Sequence, residues 1–193
     1  MIAGLILAAG ESSRMGRAKA LLAYRGRTFL ETILATLGAA GIERVAVVLG
    51  HHAQEVQRAV GLQGVEVVLN REYRRGQTSS LQAGLRALAT PELEAIVLCL
   101  VDHPAVSPTT LLALVEHFEK TRVPVVIPTL QGQRGHPVII GRVLFEELLR
   151  LSPEEAANAV IRKHRPETNW VEVEDRGILL DIDDPESYQL LAP

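Results

Sequence analysis

Short apolar runs alternate with amphipathic stretches along the chain. Residues 3–8, 44–49, 65–69, 95–101 and 123–127 are rich in Val, Ile, Leu and Ala and predict strands. Between them, Leu30, Ile33, Leu34 and Leu37 recur at helical spacing, as do Leu111, Leu114, Val115 and Phe118. Leu81, Leu85 and Leu88 mark the face of a further helix. Helix starts are signalled by side chains that satisfy free N–H groups. Thr28 with Glu31, Ser79 with Gln82, and Ser152 with Glu155 have capping-box spacing. Ser107-Pro108, Ser152-Pro153 and Asp184-Pro185 place proline at the first helical position.

Strand and helix patterns in alternation predict an α/β protein with a mostly parallel sheet and helices on both faces. The strands read as continuous apolar runs, as expected when both faces of a sheet are covered. Residues 169–173 and 177–182 flank Glu174-Asp175-Arg176 and predict a hairpin-like pair, hence some antiparallel pairing near the C-terminus. No linker, repeat or low-complexity tract interrupts the pattern. Residues 1–193 are read as a single domain, a size that suits one core.

Composition narrows the function. Hydrophobic residues are 47% of the chain, and the net charge is −3, so no global basic field invites nucleic acid. Charge is uneven, however. Arg14, Arg17, Lys19, Arg25 and Arg27 stand against Glu11 alone in residues 11–27, a local excess that suits an anionic ligand. The lone Cys99 excludes an intrachain disulfide and a cysteine-based metal site, and its apolar surroundings mark it as a core residue. No basic leader precedes the first apolar run and no run is long enough to span a bilayer, so a cytoplasmic protein with no membrane partner is expected.

The chemistry gathers where strands end, the place at which open α/β sheets bind ligands. The first run delivers Leu7, Ala8, Ala9, Gly10, Glu11, Ser12, Ser13, Arg14, Met15 and Gly16, followed by Lys19. Small residues let a backbone approach an anion closely, N–H groups point at its oxygens, and cations neutralise its charge. The spacing of Gly10 and Gly16 fits neither the Walker loop nor a G-x-G-x-x-G turn. The fourth run ends at Asp102-His103-Pro104, and Asp102 is a candidate Mg²⁺ ligand, because Mg²⁺ takes hard oxygens from one or two carboxylates plus substrate phosphates. Asp181 and Asp183 are a second carboxylate source and share a face if their segment is extended, whereas Asp184 reads as a helix cap. Asn70, Gly76, Gln77, Ser79 and Ser80 offer amides, hydroxyls and a flexible point ahead of a helix start. His51, His52, His117 and His164 lack metal-ligand spacing and read as surface or packing residues; His103 and His136 are candidates to line the pocket.

Taken together, LAAGESSRMGRAK at residues 7–19, GQTSSL at 76–81, DHP at 102–104, GHPV at 135–138 and DIDDPE at 181–186 resemble the MobA/MocA-like nucleotidyltransferase family. They fall in the family's order and span most of the chain. The branch most similar is the molybdenum cofactor cytidylyltransferases, whose LAAG carries alanine where guanylyl-transferring relatives more often show LAGG. Two departures stand out. The family's GDxGAR-like stretch corresponds to Ser152–Asn158 here, which bears on the acceptor, and its late-motif Thr is replaced by Asp184.

The resemblance implies a three-layer Rossmann-like nucleotidyltransferase fold. It implies a Mg²⁺-dependent enzyme that moves a nucleoside monophosphate from an NTP, CTP first, to the phosphate of molybdopterin, releasing pyrophosphate. In that scheme the loop and Lys19 hold the triphosphate and Arg14 neutralises charge at the reacting phosphorus. Residues 76–80 meet the base, and Asp102 with Asp181 and Asp183 holds the metal. A molybdenum enzyme or its chaperone is the implied protein partner. The alternatives are guanylyl transfer, transfer to another phosphorylated acceptor, and a non-catalytic nucleotide or cofactor carrier on the same scaffold.

Overall fold

Consecutive residues of the first strand serve two cores at once. Leu5 and Leu7 pack into one, while Ile6 packs into the core on the opposite side. The computed structural model describes residues 1–191. Its strands are β1 (Ile2–Ala8), β2 (Ala23–Tyr24), β3 (Arg27–Thr28), β4 (Val45–Leu49), β5 (Glu66–Leu69), β6 (Ala95–Leu100), β7 (Val125–Leu130), β8 (Gln133–Arg134), β9 (Val138–Gly141) and β10 (Thr168–Glu172). Its helices are α1 (Phe29–Ala39), α2 (Ala53–Ala59), α3 (Gln77–Leu88), α4 (Pro108–Thr121), α5 (Phe145–Arg150), α6 (Asn158–Lys163) and α7 (Pro185–Gln189).

The main sheet runs β10-β7-β9-β6-β1-β4-β5, with β8 attached to β7. β1 lies between β4 and β6 and is parallel to both, and β5 continues in parallel beyond β4. α1, α2 and α4 contribute to the core on one face, and α3, α5 and α6 to the core on the other. This three-layer α/β arrangement is the one the alternating pattern predicts. Its consequence for function lies at the carboxyl end of β1. From there the chain builds outward through β4 and β5, then returns to place β6 on β1's other side, leaving a crevice at the reversal.

Antiparallel pairing is present, but not where the pattern placed it. β9 runs antiparallel to both β6 and β7, and β8 to β7, whereas β10 pairs in parallel with β7. Residues 177–182 form no strand. Their backbone is claimed by neighbouring loops: His136 N–H donates to the Ile178 carbonyl (3.0 Å) and Ile182 N–H to the Asp102 carbonyl (3.0 Å). Asp175 fixes the turn, accepting from the N–H groups of Gly177 and Ser107 (both 2.8 Å) and from Thr110 Oγ1 (2.7 Å).

The caps divide similarly. Thr28 and Glu31 form the expected capping box on α1, Ser107 caps α4 ahead of Pro108, and Asp184 caps α7 ahead of Pro185. Ser79 caps nothing, because α3 already begins at Gln77 after Gly76; Gly76 has φ 117°, a region that favours glycine. Ser152-Pro153 starts no helix either. Glu155 does bond back to Ser152 N–H (2.7 Å), but residues 153–156 stay in a turn and α6 begins at Asn158. A third apolar cluster of Leu22, Tyr24, Phe29, Ile182 and Leu191 fastens the late segment beside the β2–β3 hairpin. No helix among the described residues is long and apolar enough to cross a membrane.

Candidate functional site

After Ala8 the chain leaves the sheet and curls back on itself. Ser12 adopts φ 51°; its carbonyl accepts from the N–H groups of Met15 and Gly16 (both 3.0 Å), and its Oγ accepts from Lys19 N–H (3.3 Å). The turn brings Lys19 back beneath the strand end. The Ala9 carbonyl accepts from His51 N–H (3.2 Å), which ties the loop to the end of β4. Gly50 permits that approach, since a Cβ there would lie 2.4 Å from the Ala9 carbonyl oxygen.

The loop walls a cavity of about 280 Å³. Twelve of the residues singled out in the sequence line it: Leu7, Ala8, Ala9, Gly10, Ser12, Ser13, Arg14, Lys19, Gln77, Ser80, Asp102 and Asp183. Elements distant in sequence therefore converge on one space, as the strand-end argument requires. Other expected residues stand outside its lining and support it. Asn70 is buried, and its Nδ2 donates to Ser79 Oγ (2.9 Å) and Ser80 Oγ (3.0 Å), so it orients the start of α3. Ser79 Oγ donates back to the Gly76 carbonyl (2.7 Å). Gly16 (φ 72°) completes the turn, and Met15 packs on the third apolar cluster. Glu11 accepts from Arg74 Nε (2.7 Å), and that guanidinium holds its carboxyl below the ordinary value.

The remaining lining includes side chains that the sequence motifs did not mark, among them Val56, Tyr73 and His52, and His52 lines the cavity rather than serving only as the surface or packing residue expected from the sequence. His52 Nε2 meets the Glu11 carbonyl at 3.2 Å, and Tyr73 Oη meets His51 Nδ1 at 3.0 Å. His52 follows the end of β4 as Asp102 follows β6, so the strand-end rule could have found it; Tyr73 arrives through the tertiary approach of the β5–α3 connection.

The charged groups form one connected cluster. Lys19 Nζ lies 2.5 Å from Asp183 Oδ1 and 3.4 Å from Asp102 Oδ2, and Arg14 meets Asp183 Oδ2 at 3.0 Å. The bond from Ile182 N–H to the Asp102 carbonyl seats residues 181–183 against the end of β6. Asp181 and Asp183, expected on one strand face, consequently have different surroundings. Asp183 is held below the ordinary carboxylate value, first by its bond from Lys19 and then by the charges of Lys19 and Arg14. Asp181 has no such partners and is pushed above it, first by burial and then by the charges of Asp102 and Asp183. Asp102, His103 and Asp181 each bring a ligand atom to within 4.8 Å of the others. Oδ1 of Asp102 is buried without a hydrogen-bond partner. A divalent cation fits these residues, because it would satisfy that oxygen and relieve the like-charge pressure on Asp181.

His103 and His136 pack with ring centroids 5.0 Å apart. Burial lowers the His103 value, against the pull of the Asp102 and Asp181 charges, and takes His136 down to about 4. Cys99 is buried, with its thiol pushed up to about 12, so it offers no thiolate nucleophile. The site holds cations, carboxylates, backbone amides and hydroxyls. Such a set can orient a polyphosphate and neutralise charge that develops on phosphorus.

The family described as MobA-like NTP transferase domain matches residues 4–168. The chain is 32% identical to nicotine blue oxidoreductase of Paenarthrobacter nicotinovorans, over 98% of this chain and 96% of that protein. It is 25% identical to molybdenum cofactor cytidylyltransferase of Escherichia coli K12, over 95% of this chain and 92% of that protein. Among solved structures, Rv0371c of Mycobacterium tuberculosis H37Rv in complex with manganese superposes with a TM-score of 0.82 at 30% identity, covering 98% of this chain and 97% of that one.

Proposed function

The chain belongs to the MobA-like NTP transferase domain family, as a nucleotidyltransferase, and from that premise we propose that it transfers CMP from CTP to the terminal phosphate of molybdopterin, releasing pyrophosphate. Residues 1–193 act as one domain in this reading, in the cytoplasm, with a molybdenum enzyme or its chaperone receiving the product. The observation that carries the proposal is the meeting of Arg14, Lys19 and Asp102 in one cavity beneath the glycine loop. A carrier needs affinity for phosphates but no such convergence of cations and a carboxylate on one point.

An oxygen of the acceptor phosphate forms a bond to the α-phosphorus while the bond to the β-phosphate oxygen breaks, and its electron pair leaves with pyrophosphate. The protein's contribution is placement and charge. Loop N–H groups and Lys19 hold the triphosphate, and Arg14 offsets charge on the equatorial oxygens. Gln77 and Ser80, at the start of α3, line the same cavity, which supports a role at the base edge. Asp102 and Asp181 would hold the divalent cation, Mg²⁺ in the reading taken from the sequence, which supplies charge neutralisation on the phosphates when bound. Alanine at position 9, in LAAG, supports CTP over GTP.

A second reading rests on the relative named nicotine blue oxidoreductase. There the same loop would hold the phosphates of a dinucleotide redox cofactor. The deciding experiment incubates the protein with CTP or GTP and Mg²⁺, with and without molybdopterin, and measures pyrophosphate. Acceptor-dependent release from CTP is expected. No release from either nucleotide, together with oxidation of a reduced dinucleotide by a dye, would favour the redox reading.

A further inference from the structure

Building on the metal assignment above, we propose that His103 is a nitrogen ligand of the divalent cation held by Asp102 and Asp181, and that it makes the site favour Mn²⁺ over Mg²⁺. His103 sits at the end of β6, its N–H donating to the Leu100 carbonyl (3.1 Å). Its side chain is only 10% exposed, and Nε2 stands 3.9 Å from Asp102 Oδ1. That distance is too long for a hydrogen bond. It is the spacing of two atoms that share an ion, since two ligands about 2.1 Å from one metal stand at most about 4.2 Å apart. The three candidate ligand atoms lie within 4.8 Å of one another, which leaves at most about 0.6 Å to close.

The charge pattern selects the same atoms. Lys19 lies on Oδ2 of Asp102, and Lys19 and Arg14 together occupy both oxygens of Asp183. Asp102 Oδ1 is left buried with no partner, beside an imidazole and the Asp181 carboxylate. Asp181 is exposed, which leaves the outer side of such an ion open to phosphate oxygens or water. One nitrogen and two carboxylates form a mixed donor set. Imidazole suits first-row transition metals, whereas Mg²⁺ prefers an all-oxygen shell and gives up its waters reluctantly.

The test uses the full chain stripped of metal and titrated with MnCl₂, read by the loss of free-Mn²⁺ EPR signal and repeated with MgCl₂ as competitor. Pulsed EPR of the bound Mn²⁺ is expected to show the coupling of a directly coordinated imidazole nitrogen. His103→Asn and His103→Gln should both lose that coupling. Each should weaken Mn²⁺ by about tenfold or more, the scale seen even for outer partners of metal ligands, with little change for Mg²⁺. Bound Mn²⁺ without nitrogen coupling, or equal affinity for Mn²⁺ and Mg²⁺ in the wild type, overturns the assignment. Pyrophosphate release from CTP is followed on the same preparations. Its absence beside an intact nitrogen signal would reject cytidylyl transfer and leave His103 as a ligand.

Discussion

Lys19 Nζ lies 2.5 Å from Asp183 Oδ1, although the two residues are 164 positions apart in the chain. Arg14 meets the other oxygen of the same carboxylate at 3.0 Å. Asp183 thus ties together the two cations that are proposed above to hold the triphosphate.

The first prediction follows from those cations. Lys19→Ala and Arg14→Ala should each reduce pyrophosphate release by roughly 10²–10³, the usual effect of removing one fixed charge-stabilising donor. Thermal unfolding should change little for Arg14→Ala, because that ion pair is largely exposed. Near-normal turnover in both variants would reject the roles assigned to them.

The second prediction separates the carboxylates, which the sequence left equivalent. Asp102→Asn and Asp181→Asn should raise the concentration of divalent cation needed for half-maximal activity. Asp183→Asn should leave that requirement unchanged and alter KM for the nucleotide instead, because Arg14 and Lys19 take both oxygens of Asp183, whereas Lys19 reaches only Oδ2 of Asp102 and leaves its Oδ1 without a partner beside Asp181. Full metal titrations of the three variants decide it. A shifted metal requirement in Asp183→Asn alone would return the ligand role to that residue.

The difference between Asp181 and Asp183 also shows where sequence reasoning stops. Period-two alternation places both on one face only if the segment is a strand, and here loops take up its backbone N–H and C=O groups. The principal parallel strands were legible because their apolar runs serve two cores at once, as Val47 and Val48 do on opposite faces. β2, β3 and β8 were not, since two residues carry no readable period. β9 is four residues long and its direction depends on neighbours remote in sequence. In the site, the glycine loop and Asp102 announced themselves by following apolar runs. Asn70 did not reveal that it braces Ser79 and Ser80 from behind, because an amide in a loop reads the same whether it meets ligand or backbone.

A pH-dependent contribution to stability is expected at His164, remote from the cavity. Its Nε2 meets Glu147 Oε2 at 2.9 Å and its Nδ1 meets Glu167 Oε1 at 3.1 Å; Lys163 also pairs with Glu147. The bond to Glu147, then that to Glu167, raises the folded His164 value above the ordinary one. The charged ring therefore stabilises the fold fully below the unfolded value of about 6.5, and that stabilisation is lost as pH rises through the folded value. Thermal melts of wild type and His164→Gln should differ most near pH 5.5 and converge toward pH 8.5. A gap that is constant or widens with pH would contradict the pairing.

The last prediction concerns choice of base. Ala9 is buried at the turn from β1 into the loop, with its carbonyl on His51 N–H. Its methyl lies toward Gly50, since a Cβ built on Gly50 would stand 3.0 Å from it. Ala9 therefore sets the position of the loop backbone against β4, and it shapes the cavity through that backbone as well as by its own bulk. Removing the methyl relaxes this contact and adds conformational freedom at the loop entry. One methyl-sized change in a pocket is worth only about 1–3 kcal/mol of discrimination, so a complete switch of base is not expected. Gln77 and Ser80 line the same cavity from α3, and the proposed reading gives them the rest of the discrimination. Wild type should show the higher kcat/KM with CTP than with GTP, and Ala9→Gly should narrow that ratio without reversing it, measured with one acceptor throughout. A wild-type preference for GTP would overturn cytidylyl transfer while leaving nucleotidyl transfer in place, and an unchanged ratio in Ala9→Gly would move the discrimination wholly to α3.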